Sequence, residues 1–349
     1  MIKFIKKCLR KARLVSIFFM RILFAKNHLK CPVHKKLLAN FYRGFLADQY
    51  ILYDFDYNDK REYLSEFEWY KSRYINEPFS FLMNNKVVTS EILKHYIKMP
   101  DIFAIKNHNF LSSYDEKIKK YEDICDILEE RMQLFIKPIN AGKGKGVHSL
   151  QYINNSFYID DRFVSKQDLL KFFRKEDNWF ISEAVKQHQC LNEIYDKTAN
   201  TMRIITIRDI HTNRLKIFFA VQRIGTSKTI PVDNASRGAL IAKIDLQTGI
   251  LSEAKSLHSL EFYTHHPDSK AKIKGFVIPK WGHVKEQILQ LANKFPYLHF
   301  IAWDVLLTDN ELCIVEANTS SGVNIIQLWG GQRNGELGAF YKHYRIIKK

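Results

Sequence analysis

Paired cysteines are missing from this 349-residue sequence. Its five cysteines are scattered, none forms a Cys-x-x-Cys pair, and no histidines cluster beside them. Closely spaced Cys and His residues indicate a zinc site, and dense cysteines indicate the disulfide framework of a small secreted domain. The spacing argues against both, so we expect reduced thiols in a cytosolic protein.

Internal repeats and low-complexity tracts are also missing. Apolar residues make up 46% of the sequence and charged residues 26%, which is the composition of an ordinary globular protein. At this length the chain can bury a large core, and we expect two or more domains.

Acidic residues are absent from the first 47 positions, which contain twelve Lys or Arg. The remaining residues hold 42 basic against 37 acidic side chains, so the net charge of +17 comes mainly from this one segment. A nucleic-acid binder would be expected to spread basic residues over a face with stacking aromatic rings. We therefore expect no nucleic-acid partner.

The N-terminal segment has a basic start followed by an apolar run. Residues 1–13 separate on a helical wheel into an apolar and a basic face, and residues 14–25 are apolar except for Ser16 and Arg21. That run is shorter than the ~20 residues a spanning helix needs, and no small-x-small cleavage site follows it. Residues 1–25 therefore predict an amphipathic helix on an anionic membrane surface, which would make the protein peripheral on the inner face of the membrane. Packing of this helix on the body or on a partner subunit is the alternative.

The rest of the sequence mixes strand and helix signals. Strands are predicted at 134–138, 147–152, 179–183, 202–208, 215–223, 239–245, 301–307 and 311–316. Helices are predicted at 79–96, 165–174 and 281–293. The pattern predicts the α+β class, with at least two lobes.

Three polar side chains follow the last predicted hairpin. Asp304 begins one strand, and Glu316 and Asn318 end the next, after the turn at residues 308–310. Glu316 and Asn318 are two positions apart and so share one face of their strand. Carboxylate and amide oxygens suit Mg²⁺, so the hairpin predicts a metal site. An edge hairpin with solvated acids is the alternative, although the apolar flanks VLL and LCIV argue against it.

A glycine-rich segment, IKPINAGKGKGV, follows an earlier strand. Lys137 ends that strand, and Gly142, Gly144 and Gly146 occupy the next turn. Glycines let backbone N–H groups approach phosphate closely, and a lysine adds positive charge. No Gly-Lys-Ser/Thr precedes a helix, so this is not a Walker A loop. The segment predicts a flap over a nucleotide, with a flexible basic hairpin as the alternative.

The order of these two motifs resembles the ATP-grasp superfamily. The resemblance covers about residues 79–329 and is strongest to the sugar-transfer-associated ATP-grasp group, while the final motif, EANTSSG, is also similar to D-alanine–D-alanine ligases. It implies an ATP-grasp fold in which two α+β lobes clasp ATP. Its domains would be a docking segment at 1–47, a helical region at 48–125, a small lobe at 126–190 and a large lobe at 191–349.

The resemblance also implies roles for individual residues. Lys86 and Lys137 would lie at the phosphates of ATP, and the glycine loop, with Lys143 and Lys145, would cover them. Glu183, Ala184 and Val185 of the sequence ISEAV would meet the adenine. The NTMR sequence contributes Asn200 to the nucleotide site and Arg203 to the transferred phosphoryl group. The implied magnesium ligands are Asp304, Glu316 and Asn318.

Two departures from the pattern matter. D-alanine–D-alanine ligases carry an arginine two positions before the first metal aspartate, where this sequence has Ala302. Arg203 or Arg237 would then supply the positive charge at the transition state. The ribose-binding acid is not evident, and Glu193 is a guess. Val232-Asp233-Asn234 and His266 also lie in motifs similar to those of the group, without an assigned role. From the sequence alone we expect His266 on a surface loop and not as a ligand.

The resemblance implies an ATP-dependent carboxylate–amine ligase that acts through an acyl phosphate, with Mg²⁺ as its metal. Its substrates would be an amine and an acid from a sugar or surface-polysaccharide precursor. The alternatives are a phosphotransferase similar to a sugar kinase and a catalytically silent, membrane-bound partner of a glycosyltransferase.

Overall fold

The computed structural model describes residues 2–114, 116, 118–140, 142 and 144–348, with the side chains of residues 2–7 and 10 outside the description. Two of the predicted calls fall partly outside it: Lys143 of the glycine loop, and the two faces of the N-terminal helix before Cys8. In the described residues the α-helices are α1 Ile2–Ile17, α2 Val33–Phe41, α3 Ala47–Leu52, α4 Glu66–Ser72, α5 Phe81–Asn84, α6 Lys86–Leu93, α7 Tyr121–Arg131, α8 Lys166–Lys175, α9 Gln189–Ile194, α10 Trp281–Asn293, α11 Val323–Ile326 and α12 Glu336–His343. A π-helix, Phe18–Leu23, continues α1.

The strands are β1 Ile102–Asn107, β2 Phe110–Ser113, β3 Gln133–Pro138, β4 His148–Ile153, β5 Ser156–Ile159, β6 Arg162–Val164, β7 Trp179–Glu183, β8 Met202–Arg208, β9 Leu215–Ile224, β10 Leu240–Ile244, β11 Leu251–Ser256, β12 Ser259–Tyr263, β13 Phe300–Leu307 and β14 Leu312–Asn318. In the described part of the chain they form two seven-stranded antiparallel sheets. The first has the order β2-β1-β7-β3-β4-β5-β6, and the second β12-β11-β10-β9-β8-β13-β14. The predicted α+β class is confirmed.

The first sheet is covered by α7 and α8. Their apolar residues, including Leu128 and Phe173, form one buried cluster with Ile136 and Ile181 of the sheet. Helix α8 begins where the sequence predicts, because the Ser165 hydroxyl accepts a hydrogen bond from the backbone N–H of Asp168.

The second sheet is covered on both faces. On one face Ile204 and Trp303 pack with α10, whose bounds match the prediction. On the other face Ile205 and Ala302 belong to a cluster that includes Phe340 of α12. Alternation along β8 thus turns Ile204 to one core and Ile205 to the other, and Arg203 shares a face with Ile205.

Polar side chains tie the N-terminal region to the second sheet and to the segment after it. The Gln327 amide accepts from the backbone N–H of Leu64 at 2.7 Å and donates to the Leu64 carbonyl at 2.8 Å. The Asn76 amide donates to the carbonyl of Phe300 at 2.6 Å and accepts from the N–H of His299 at 2.7 Å. Residues more than 220 positions apart in the sequence are therefore in direct contact.

Two expectations about local structure are wrong. The helix predicted at 79–96 is divided into α5 and α6, because Asn85 is extended and its side chain accepts from the N–H groups of Val87 and Val88 as an N-cap. His266, expected on a surface loop, is buried, lies against the ring of Tyr195 and bonds the carbonyl of Gly225 at 2.7 Å. In the part of the chain that the structure describes, no helix is long and apolar enough to cross a membrane.

Candidate active site

A row of charged side chains crosses one edge of the second sheet. Asp304 of β13 lies opposite Arg203 of β8 on one side and opposite Glu316 of β14 on the other. Directly opposed residues of an antiparallel pair project from the same face, and Asn318, two positions after Glu316, shares that face. The sheet therefore places Asp304, Glu316 and Asn318 together, on the face that also carries Arg203.

Asp304 is buried between two guanidinium groups. Arg203 donates from Nε to Oδ1 at 2.5 Å and from Nη2 to Oδ2 at 3.2 Å. Arg223 Nη2 lies 3.1 Å from Asp304 Oδ2. Burial alone would raise the pKa of the Asp304 carboxyl, but Arg203 and Arg223 outweigh it and hold that pKa below its usual range. Asp304 is therefore a carboxylate.

Arg223 is the member of this row that was not predicted. It lies at the end of β9, contacts Asp233 Oδ1 at 3.2 Å and donates to the Thr201 hydroxyl. Burial alone would lower the pKa of its guanidinium, but Asp233, Asp304 and Glu316 together raise it. A charged side chain at the end of the apolar strand KIFFAVQRI is a signal that could have pointed to it, since a buried charge needs partners.

Asp233 gives a structural role to the Val232-Asp233-Asn234 motif. Its Oδ2 accepts from the backbone N–H of Thr201 at 2.7 Å and from the Thr201 hydroxyl at 2.6 Å. Asp233 thus anchors the start of β8, the strand that carries Arg203, while its other oxygen pairs with Arg223.

Two lysines reach the row from outside the second sheet. Lys86, at the start of α6, has its Nζ 3.8 Å from Glu316 Oε2. Lys137 belongs to β3 of the first sheet, and burial lowers its pKa to about 8, with Glu316 opposing that shift and Lys86 adding to it. Both lysines are therefore within electrostatic reach of Glu316, which brings charges of the two sheets to one place.

The glycine loop lies against residues 232–234, in the connection between β9 and β10 of the second sheet. Gly144 has a φ of 66°, and a Cβ at that position would meet the side chains of Asn234 and Val232. Only glycine combines that backbone with so close an approach. Gly146 lies beside Pro138, Gly142 has open space around its Cα, and Lys145 is exposed. The loop thus meets the same 232–234 segment that holds Arg223.

The structure places the glycine loop, two lysines and a pair of carboxylates in one region of the molecule. A comparison with models of protein families identifies the family of the chain. The profile of the family described as sugar-transfer associated ATP-grasp matches residues 67–335, which is most of the chain. The chain belongs to this ATP-grasp family. The predicted family and fold are thereby confirmed. A search of curated proteins gives no significant match.

Solved structures with the ATP-grasp fold are distant from this chain. N5-carboxyaminoimidazole ribonucleotide synthetase in complex with ADP is 13% identical, with a TM-score of 0.39 over 68% of this chain and 45% of that one. The synthetase from Staphylococcus aureus with ADP is 12% identical, with a TM-score of 0.37 over 69% and 45%. D-alanine–D-alanine ligase from Bacillus anthracis with ATP is 12% identical, with a TM-score of 0.39 over 76% and 65%. This chain spans less than two thirds of the length of each.

The ISEAV sequence lies where the ATP-grasp sheets meet. Glu183 ends β7, and its Oε2 lies 3.1 Å from Lys98 Nζ and accepts from the N–H of Asp101 at 3.2 Å. The carbonyl of Lys98 accepts from the N–H of Ile314 on the second sheet. Ala184 and Val185 follow directly. Contact of these residues with adenine stays a prediction.

Three of the predicted residues are set apart from the charged row. The Asn200 amide is buried and engaged within the chain, since it donates to the carbonyl of Tyr195 at 2.6 Å and accepts from the N–H of Gly225 at 3.0 Å. Those contacts give it the role of fixing the loop before β8. Arg237 is exposed on a short 3-10 helix, and Glu193 is exposed on α9. Among the described residues, Arg223 and not Arg237 joins Arg203 at Asp304.

The donor set fits a magnesium ion. Within the described residues no three His, Cys, Asp or Glu side chains form a metal cluster, so a metal here would use two carboxylates and the Asn318 amide. Such hard oxygen donors suit Mg²⁺, which keeps further positions for phosphate oxygens. Asp304 and Glu316 are held by cationic side chains, and those cations would serve the phosphates equally.

Proposed function

We propose that this ATP-grasp protein is an ADP-forming carboxylate–amine ligase. The observation that carries the proposal is the convergence of Lys86 and Lys137 on Glu316, beside the Asp304–Arg203–Arg223 network. This arrangement supplies cations for a triphosphate and oxygen donors for its metal, without needing a side-chain nucleophile.

The reaction has two displacements. A carboxylate oxygen of the acid attacks the γ-phosphorus of ATP, the bond to the bridging oxygen breaks, and ADP leaves. The resulting acyl phosphate carries a good leaving group, so an amine nitrogen attacks its carbonyl carbon. Phosphate then leaves and the nitrogen loses a proton, which gives an amide, ADP and phosphate.

Each cationic group has a part in these steps. Lys137 and Lys86 would hold the phosphates in line with the acid, and backbone N–H groups of the glycine loop would cover them. Arg203 and Arg223 would offset negative charge on the transferred phosphoryl group. Arg203 thus keeps the part that the resemblance gave it, and Arg223 takes the place of Arg237.

Asp304, Glu316 and Asn318 would hold Mg²⁺, and the ion would supply charge neutralisation between the β- and γ-phosphates. The family description, sugar-transfer associated, supports an acid from a sugar or surface-polymer precursor. Amidation of a sugar acid by an amino acid or another amine is the specific reaction we propose.

The experiment is release of ADP and phosphate from Mg-ATP against a panel of sugar acids, sugar nucleotides and amino acids. We expect ADP release that requires both an acid and an amine, and we expect hydroxylamine to replace the amine and give a hydroxamate. The Arg203→Lys variant should keep ATP binding and lose most of the turnover. The surface variant Arg162→Lys, on β6, is the matched control and should retain it.

Other outcomes would assign a different function. ADP without phosphate, together with a phosphorylated sugar, would replace the ligase with a phosphotransferase. ATP binding without turnover on lipid-linked and soluble acids alike would support a silent partner of a glycosyltransferase.

A further inference from the structure

Exposed apolar side chains are concentrated at the N-terminal end of the described chain. Of the 23 large apolar side chains that are exposed among all the described residues, nine lie before residue 42. They are Leu9, Val15, Phe19, Met20, Phe24, Val33, Leu37, Leu38 and Phe41. Such a concentration indicates an interaction surface and not the scattered exposure that every protein shows.

This surface is attached firmly to the body of the protein. The ring of Phe18 lies 5.9 Å from that of Phe41 and 5.8 Å from that of Phe67 on α4, and Ile22 is buried. The Asn40 amide donates to the carbonyl of Phe45 at 2.9 Å. The expected alternative, packing on the body, therefore accounts for one side of these helices and leaves their other side exposed.

Each helix presents its own apolar stripe. On α1 and the π-helix, with Phe24 directly after it, the stripe consists of two pairs four positions apart, Val15 with Phe19 and Met20 with Phe24. On α2, Val33, Leu37 and Phe41 are four positions apart and exposed, and buried Ala39 lies on the opposite side of the helix. The second stripe was not predicted, because the apolar run of the sequence ends at Ala25.

Exposed positive charge lies along α1, the π-helix and the segment before α2. Lys11, Arg13, Arg21, Lys26 and Lys30 are exposed, and residues 1–47 contain no acidic side chain. Apolar stripes edged with lysine and arginine suit a lipid surface with anionic headgroups, where the stripes enter the boundary of the acyl chains and the cations meet the headgroups. A second copy of the chain would instead bring two basic segments together.

We propose that α1, the π-helix and α2 form one docking platform for an anionic phospholipid surface. The platform would lie at the boundary between the lipid headgroups and the acyl chains, without crossing the bilayer. This inference is independent of the ligase chemistry, and it extends the predicted membrane segment from residues 1–25 to residue 41.

The test is sedimentation of the full chain with vesicles of phosphatidylcholine alone or mixed equally with phosphatidylglycerol. We expect binding to be at least about tenfold stronger on the mixed vesicles. The pair Met20→Asp and Phe24→Asp removes the first stripe, and the pair Val33→Asp and Leu37→Asp removes the second. Each pair should weaken binding by about tenfold or more, because an apolar contact is lost and negative charge is added.

The matched control is the pair Leu260→Asp and Phe262→Asp on β12, where the side chains are 59% and 62% exposed. It adds the same charge outside the platform and should bind as the wild type does. Thermal unfolding confirms that each variant is folded. If only the Met20 and Phe24 pair loses vesicle binding, α2 takes no part and the two-helix platform is wrong. If the control pair loses binding equally, the interaction depends on net charge alone. Absence of vesicle binding, with capture of an acidic protein instead, would replace lipid with a protein partner.

Discussion

Two regions supply the charges of the candidate active site, and they hold those charges differently. On the second sheet, Asp304 is shared by Arg203 and Arg223, and Arg223 also contacts Asp233. On the first sheet, Lys137 has no ion-pair contact within the described residues, and burial lowers its pKa to about 8. Removing a member of a buried network leaves its partners unpaired, whereas removing a solitary buried cation relieves a desolvation cost. Folding therefore assembles the network, while Lys137 would gain its counter-charge from the phosphates of ATP in the function proposed above.

The largest expected effect is that of breaking the network. Asp304→Asn leaves two buried guanidinium groups without their shared carboxylate, so we expect the free energy of unfolding to fall by about 3–5 kcal/mol. ADP release should be lost as well. Urea denaturation and a turnover assay measure the two effects.

Glu311→Gln, on the exposed turn of the same hairpin, is the control and should change neither quantity. If Asp304→Asn has the same free energy of unfolding as the wild type, the network contributes to catalysis and not to stability.

The second effect has the opposite sign for stability. Lys137→Met removes an ammonium whose burial cost outweighs its attraction to Glu316, so the free energy of unfolding should stay the same or rise. The Kd for ATP should increase by about tenfold or more, because a charge-assisted contact with phosphate is lost. Calorimetry of binding and of unfolding tests both, beside Lys171→Met on the surface of α8. A stability loss as large as that of Asp304→Asn would remove the distinction between the two regions.

The third effect is a pH dependence that belongs to Lys137. Its pKa of about 8 in the fold lies below the ordinary ~10.4 of lysine, so the unfolded chain binds more protons between those values. Stability of the wild type relative to Lys137→Met should therefore rise as the pH goes from about 8 to about 10. ATP affinity should fall by about tenfold between pH 7 and pH 9, as the Lys137 ammonium loses its proton. If the stability difference between the wild type and Lys137→Met does not change with pH, Lys137 has the pKa of an ordinary lysine.

The smallest effect concerns the loop that connects the two regions. Gly144→Ala introduces a Cβ at a positive φ against Asn234, at a cost of about 1 kcal/mol, and should lower turnover several-fold. Gly142→Ala meets no atom within 4 Å and should turn over at nearly the wild-type rate. If the two variants turn over at the same rate, the contact of Gly144 with residues 232–234 has no effect on turnover.

The oxygen-donor part of the site could be predicted from local patterns in the sequence. Strand alternation and a short hairpin place Asp304, Glu316 and Asn318 on one face, and those features lie within sixteen residues of sequence. Arg223 could not be placed in this way, because its approach to Asp304 depends on the pairing of β9 with β8 and of β8 with β13. Long-range register is not encoded in any short window.

The errors in the sequence predictions have similar causes. The helix at 79–96 was predicted from its apolar spacing, but Asn85 caps a new helix in the middle of it. His266 was expected on a surface loop, yet its ring is buried and bonds the backbone carbonyl of Gly225. In both cases a side-chain–backbone hydrogen bond determines the outcome, and such bonds are poorly predicted by composition or periodicity.

The bonds from Gln327 to Leu64 and from Asn76 to Phe300 also set an order for biosynthesis. The N-terminal region leaves the ribosome first, but the groups that fix it in place are made more than 220 residues later. At translation rates of about 5–20 residues per second, that interval lasts from roughly ten seconds to most of a minute. Throughout it the basic and apolar first segment is available to an anionic surface while the rest of the chain is still being made. The docking proposed above can therefore precede completion of the fold, and the second sheet would then form against a segment already in place.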